Sequence, residues 1–190
     1  MKAYLFSIGE RTTDISKWAL EHLGFKTTLL YDPKTTLQEK YEQFLEMAKD
    51  EKWVIRCDAD IIVLPKFKTL LEECFKSDPN EEVWWWNFMG FDFIFYGMGH
   101  SGPKVMNHKV LEVGQKYKKN FFRQALKPET AFWNRDEFKN PRRCQTVEGV
   151  SSIHGYKQRP EDYERVNEMK KKRGHYKNYD HELINKLNNL

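Results

Sequence analysis

Trp53-Val54-Ile55-Arg56-Cys57-Asp58-Ala59-Asp60-Ile61-Ile62-Val63-Leu64-Pro65 sets two apolar runs around a pair of acids and closes them with proline. Ionised acids are costly to place in an apolar segment unless something positive pairs with them. In an extended chain, residues i and i+2 share a face and lie about 6 to 7 Å apart. Read as one strand over Trp53 to Asp60, the segment lets Asp58 and Asp60 address a single divalent cation or a metal-bound phosphate. Their oxygen donors suit Mg²⁺ or Mn²⁺. The alternative is a strand end reaching solvent, with both acids merely hydrated.

Working outward, Ala3 to Ile8 reads as a buried first strand. Asp14 to Leu23 reads as a helix with Ile15, Trp18, Ala19 and Leu23 on one face and Gly24 as its stop. Lys26 to Tyr31 is a second strand. Thr36 followed by Glu39 is a capping box, and Leu37, Tyr41, Phe44, Leu45 and Ala48 form the apolar stripe behind it. Phe67 to Phe75 is the next helix. Strands alternating with helices predict an α/β fold with a mostly parallel sheet flanked by helices and right-handed crossovers. Ligands of such sheets sit beyond the carboxyl ends of the strands, where Asp58 and Asp60 fall.

The second half is less periodic. Glu82 to Phe88 and Phe91 to Tyr96 read as aromatic strands hinged near Gly90, with Trp84, Trp85 and Trp86 as packing residues rather than a ligand platform. Gly97 to Lys104 reads as an irregular loop, Asn107 to Val113 as a short helix and Pro128 to Phe138 as a helix. Gln145 to Ile153 reads as one late strand, Pro160 to Lys172 as a helix and Asp180 to Leu190 as an amphipathic tail.

A chain of 190 residues favours one domain. The net charge of +4 is too small to demand nucleic acid and suits an anionic small ligand equally well. Cys57, Cys74 and Cys144 are widely spaced and odd in number, which predicts free thiols in a reducing compartment. No secretory leader and no apolar stretch of about 20 residues is found, so a cytoplasmic protein is expected. The basic run Lys170-Lys171-Lys172-Arg173 near the C-terminus leaves open a peripheral membrane contact. It also defines a rival class, a nucleic-acid-binding module, because His175, Tyr176 and Tyr179 put aromatics beside the cations.

The order of these features resembles the GT-A-fold glycosyltransferases, as a compact member. Trp53 to Pro65 is similar to that family's D-x-D strand, and Ser152-Ile153-His154-Gly155-Tyr156-Lys157-Gln158 is similar to its late metal-binding histidine motif. The resemblance implies a nucleotide-sugar donor, a UDP-sugar first, and Mn²⁺ or Mg²⁺ as cofactor. Asp60 and His154 would hold the metal, with Asp58 assisting at the metal or the ribose. Ser7, Gly9 and Arg11, in the loop after the first strand, would meet the nucleotide. Asp32 reads either as a nucleotide contact or as turn chemistry with Pro33. Lys157 or Arg159 would neutralise the departing diphosphate. A general base is expected from an acid opening a later helix. Glu129 is the positional match, with Asp136 and Glu137 as rivals, although Thr130 stands where the family usually has a second acid.

The resemblance also suggests a division. Residues 1–159 would form the catalytic domain, as a nucleotide half (1–65) and an acceptor half (66–159), and 160–190 a helical extension. The acceptor stays open among glycan, lipid and protein, and no nucleic acid is expected as a partner. The alternatives are a nucleotide-binding GT-A-like protein without turnover and the basic nucleic-acid module. An aspartate-nucleophile phosphatase is disfavoured, because Ile62 stands where that chemistry wants Thr or Val. A nucleotidyltransferase is disfavoured because Gly9 is the only glycine after the first strand.

Overall fold

The computed structural model describes residues 1–32, 34–93, 97–121 and 136–156. The elements run β1 (Lys2–Ser7), α1 (Thr13–His22), β2 (Lys26–Tyr31), α2 (Leu37–Ala48), β3 (Trp53–Asp58), β4 (Ile61–Val63) and α3 (Pro65–Ser77). They continue as β5 (Trp85–Phe88), β6 (Gly90–Asp92), β7 (Gly97–Gly99), β8 (Lys104–Asn107), α4 (His108–Phe121), β9 (Cys144–Val147) and β10 (Ser152–His154).

Six strands form the main sheet in the order β2-β1-β3-β8-β5-β9. All run the same way except β8, which is antiparallel to both β3 and β5. The period-2 alternation sorts its side chains into two cores. Ala3, Leu5, Ile55, Cys57, Trp86 and Phe88 face α1 and α3. Tyr4, Phe6, Val54, Trp85 and Met106 face α2 and α4. The expected α/β architecture is therefore present, and Trp85 and Trp86 serve it as core residues on opposite faces.

Local signals act as their chemistry requires. Thr36 and Glu39 close a reciprocal capping box at the start of α2. Gly24 ends the first helical unit at φ +89°, a left-handed conformation that suits glycine. All three cysteines are free thiols, Cys57 and Cys74 buried. Among the described residues, no helix is long and apolar enough to cross a membrane.

The structure corrects several boundaries. β3 stops at Asp58 rather than Asp60, because the chain turns at Ala59 and Asp60 before β4 joins a second sheet. That sheet has the order β4-β10-β6-β7. The late strand read over Gln145 to Ile153 is two strands in different sheets, parted near Gly149 at φ +108°. The loop read over Gly97 to Lys104 contains β7, paired with β6. The short helix read over Asn107 to Val113 is the longer α4. Of the helix read over Pro128 to Phe138, only residues 136–138 are described, as a single 3-10 turn. The helices read beyond residue 159 lie outside the described residues.

Two glycines let the second sheet close on the first. A Cβ on Gly102 would stand 2.3 Å from the Phe88 carbonyl oxygen, and one on Gly90 would stand 2.4 Å from Ser152 Oγ. These approaches seat β10 beside β6 and bring His154 into register with Asp92.

Candidate functional site

The site begins with the turn after β3. Ala59 N–H donates to the Phe6 carbonyl on β1 at 2.8 Å. The Ala59 carbonyl accepts from two hydroxyls, Thr12 Oγ1 at 2.7 Å and Ser16 Oγ at 2.8 Å. Gly155 N–H donates to the Asp60 carbonyl at 3.0 Å. The backbone that presents Asp60 is thus held from β1, from the start of α1 and from the end of β10.

The β4–β10–β6 ladder supplies the partners. His154 pairs in register with Ile61 on one side and Asp92 on the other. Its Nε2 lies 3.1 Å from Asp60 Oδ2, and its Nδ1 lies 3.0 Å from Asp92 Oδ2. Burial opposes charge on the imidazole, but the two carboxylates outweigh it and raise the His154 pKa to about 10. Burial also works against ionised Asp60, and the facing His154 prevails, holding that carboxyl below its usual range. Asp60 Oδ1 is buried and has no hydrogen-bond partner among the described residues.

The two acids of the D-x-D segment fall on different elements, Asp58 at the end of β3 and Asp60 in the turn that follows. The i, i+2 relation instead joins Arg56 to Asp58, whose Nη2 and Oδ1 lie 2.7 Å apart. Arg56 is buried, with its guanidinium 4.9 Å from the Phe6 ring centre and 5.3 Å from that of Tyr41. The turn at Ala59 sends Asp60 elsewhere. The expectation that one strand carries both acids is therefore corrected, since β3 ends at Asp58, which pairs with Arg56, while Asp60 in the following turn pairs with His154.

The loop after β1 is closed on itself. Ser7 Oγ donates to Glu10 Oε2 at 2.7 Å, Gly9 N–H donates to Ser7 Oγ at 3.0 Å, and Ile8 N–H donates to Glu10 Oε2 at 2.8 Å. Burial raises the Glu10 pKa, and neighbouring Asp60 adds to that. From α2, the buried Lys40 donates through Nζ to the Ser7 carbonyl at 2.5 Å. Gly9 adopts φ +96° beneath Tyr31, while Arg11 is exposed. Asp32 caps a turn, accepting from Lys34 N–H at 2.8 Å, and that bond holds its carboxyl low.

Among the remaining sequence candidates, Glu129, Lys157 and Arg159 lie outside the described residues. Asp136 is exposed and pairs with Lys139. Its 3-10 turn packs through Phe138 on Trp84, next to the start of β5. That is the end of the sheet opposite Asp58, so Asp136 is not brought to the Asp60–His154 pair. Its rival Glu137 accepts from Tyr117 on α4.

Three residues of this region escaped the sequence reading as site members. Asp92 lay within the strand read over Phe91 to Tyr96 with no site role, yet one acid amid Phe91 and Phe93 is itself a signal of a buried partner. Arg56 carried the same signal inside β3. Lys40, one turn before Phe44, lies buried on α2 although it is no part of the expected apolar stripe.

The donor set, a carboxylate with an orphaned buried oxygen beside an imidazole, has the chemistry for Mn²⁺ or Mg²⁺ once the ring, protonated between its two carboxylates, gives up its Nε2 proton. The side chains close on one another, and among the described residues no group of three His, Cys, Asp or Glu is arranged as a ready metal cage.

No family model matches the chain, and no curated protein matches it in sequence. Solved structures do match. One is a glycosyltransferase involved in the glycosylation of the major capsid of PBCV-1, at TM-score 0.55 and 15% identity, covering 90% of this chain and 98% of that one. The fold is GT-A-like. A second is A197 from STIV, at TM-score 0.52 and 15% identity, covering 81% of this chain and 85% of that one. At such identity the likeness speaks for architecture, and the chemistry must be argued from the residues above.

Proposed function

We propose that this chain is a metal-dependent glycosyltransferase that moves a sugar from a nucleotide-sugar donor, a UDP-sugar first, to an acceptor hydroxyl. The observation that carries the reading is the contact between Asp60 and His154, 94 positions apart in sequence, on a turn at the carboxyl end of the parallel strands. Mn²⁺ or Mg²⁺, held by Asp60 and His154, would place positive charge against the donor diphosphate. The loop Ser7, Gly9 and Arg11 and the turn at Asp32 would receive the nucleoside. Asp58, oriented by Arg56, would bind the ribose rather than the metal.

In the transfer, the acceptor oxygen bonds to the anomeric carbon as the bond from that carbon to the diphosphate oxygen breaks. The acceptor proton passes to a base. Glu129 is the candidate base, and Asp136 recedes because of its place at the far end of the sheet. Lys157 would attend the leaving diphosphate.

Calorimetric titration of UDP and GDP, with and without Mn²⁺, tests the reading. We expect UDP binding that needs the metal and is lost in Asp60→Ala while the thermal transition of that variant persists. Unchanged binding in Asp60→Ala would sink the site assignment.

A further inference from the structure

We infer that Asp92, an acid with no role in the reading above, is the positioning residue that sets which nitrogen of His154 faces Asp60. The inference rests on Asp60 and His154 being the ligand pair. The two nitrogens of an imidazole project from opposite edges of the ring, and the bond made by one decides what the other offers. Here Nδ1 stands 3.0 Å from Asp92 Oδ2, an ion-pair contact whose angles fall short of a completed hydrogen bond, and Nε2 points to Asp60. Asp92 therefore lies across the ring from the proposed metal position. It grips the histidine instead of competing for the ion.

The placement of Asp92 is built at three levels. Its side chain is 8% exposed, in an environment where an ionised acid needs a positive or hydrogen-bonding partner. Register fixes it opposite His154, and the Phe93 N–H donates to the His154 carbonyl at 3.0 Å, which locks the two strands at that point. Gly90, two residues before Asp92, allows β6 to approach β10 closely enough for the pairing, since any Cβ there would strike Ser152. Carboxylates behind ligating histidines fix ring orientation in this way, and their loss typically costs about 10- to 100-fold in metal affinity.

The test uses Mn²⁺ alone as the probe, titrated into the full chain and followed by electron paramagnetic resonance, with wild type, Asp92→Ala, Asp92→Asn, His154→Gln and Asp60→Ala compared. We expect Asp92→Ala to weaken Mn²⁺ about 10- to 100-fold. Asp92→Asn keeps an accepting oxygen at the same reach and should lose less. A second readout is the imidazole itself. Long-range ¹H–¹⁵N spectra with Mg²⁺ bound, in which the His154 signals are those missing from His154→Gln, should show a downfield Nδ1–H sheltered from solvent exchange in wild type and one lost to exchange in Asp92→Ala. If Asp92→Ala fails to fold, Asp92→Asn carries both measurements.

Wild-type affinity and an unchanged Nδ1–H signal in the Asp92 variants, with His154→Gln and Asp60→Ala both impaired, would overturn the inference and leave the ligand pair standing. Wild-type affinity in His154→Gln and Asp60→Ala, or no Mn²⁺ binding by wild type, would overturn the ligand pair and the inference with it.

Discussion

Between Lys2 and Ser77, three strands of six residues alternate with long helices, and only the short β4 leaves their sheet for the second one. Between Trp85 and His154, the described strands are three or four residues long and divide between two sheets. The first region is assembled from local periodicity. Each of β1, β2 and β3 joins its neighbour in parallel, and α2 and α3 lay apolar stripes over them. The helix α1 packs through Ser16, Ala19 and Leu20, while Ile15 and Trp18, expected on its buried face, are exposed. The second region is assembled from long-range ladders and from backbone approaches that only glycine permits. The site needs both, since Asp60 comes from the first and His154 and Asp92 from the second. A parallel half can position a turn, but here it takes the irregular half to bring a histidine against it.

The largest effect should come from the contact that joins the two regions. Phe67 on α3 is fully buried and meets Phe88 on β5 edge-on, with ring centres 4.8 Å apart. Phe67→Ala should cost about 3–5 kcal/mol, the range for deleting a buried ring. Urea unfolding followed by circular dichroism and by tryptophan fluorescence checks it. Coincident transitions in both proteins would mark one cooperative unit. Separate transitions would mean that the two regions fold independently and that the comparison should be drawn between two modules.

A smaller effect is expected within the second region. Gly102→Ala drives a methyl against the Phe88 backbone, which cannot swing aside as a flexible side chain would. The cost should be about 1–3 kcal/mol by the usual measure of overpacking. Because Gly102 lies against Ser151, just before β10, the variant should also weaken Mn²⁺-dependent UDP binding. A destabilised Gly102→Ala that keeps full binding would show that the approach of the two sheets is not what holds His154 in place.

What could be read in advance follows the same division. The alternation through Phe75, the Thr36 capping box and the stop at Gly24 are encoded by neighbours in sequence, and the structure contains them. Asp60 and His154 were legible because their types and order resemble a known constellation. The turn at Ala59 was not, because Asp58-Ala59-Asp60 contains neither glycine nor proline. It is held by distant partners, among them the hydroxyls of Thr12 at the N-cap of α1 and Ser16 in its first turn, which donate to the Ala59 carbonyl from 47 and 43 positions away. The split of β9 from β10 was signalled by Gly149, but which sheet each strand joins depends on partners distant in sequence. Asp92 was hidden for that reason too, since its role depends on a register that no local pattern specifies.

That turn gives the smallest and sharpest prediction, because it asks how a region built from local pattern makes its one irregular feature. Ser16→Ala removes one of two donors to the Ala59 carbonyl and leaves the other, so it should cost about 1 kcal/mol, a typical net hydrogen bond. Thr12→Val should cost a similar amount. The double variant strips both hydroxyls from a buried carbonyl, and the penalty then becomes that of an unsatisfied polar group, about 1–3 kcal/mol beyond simple packing changes. The two losses should therefore combine to more than their sum in a double-mutant cycle. Only the double variant should weaken Mn²⁺-dependent UDP binding, because only there is the backbone before Asp60 released on its α1 side. Strict additivity, with binding intact in all three proteins, would mean that the Ala59 N–H bond to Phe6 and the Gly155 bond to Asp60 hold the turn by themselves. The placement of Asp60 would then owe nothing to α1.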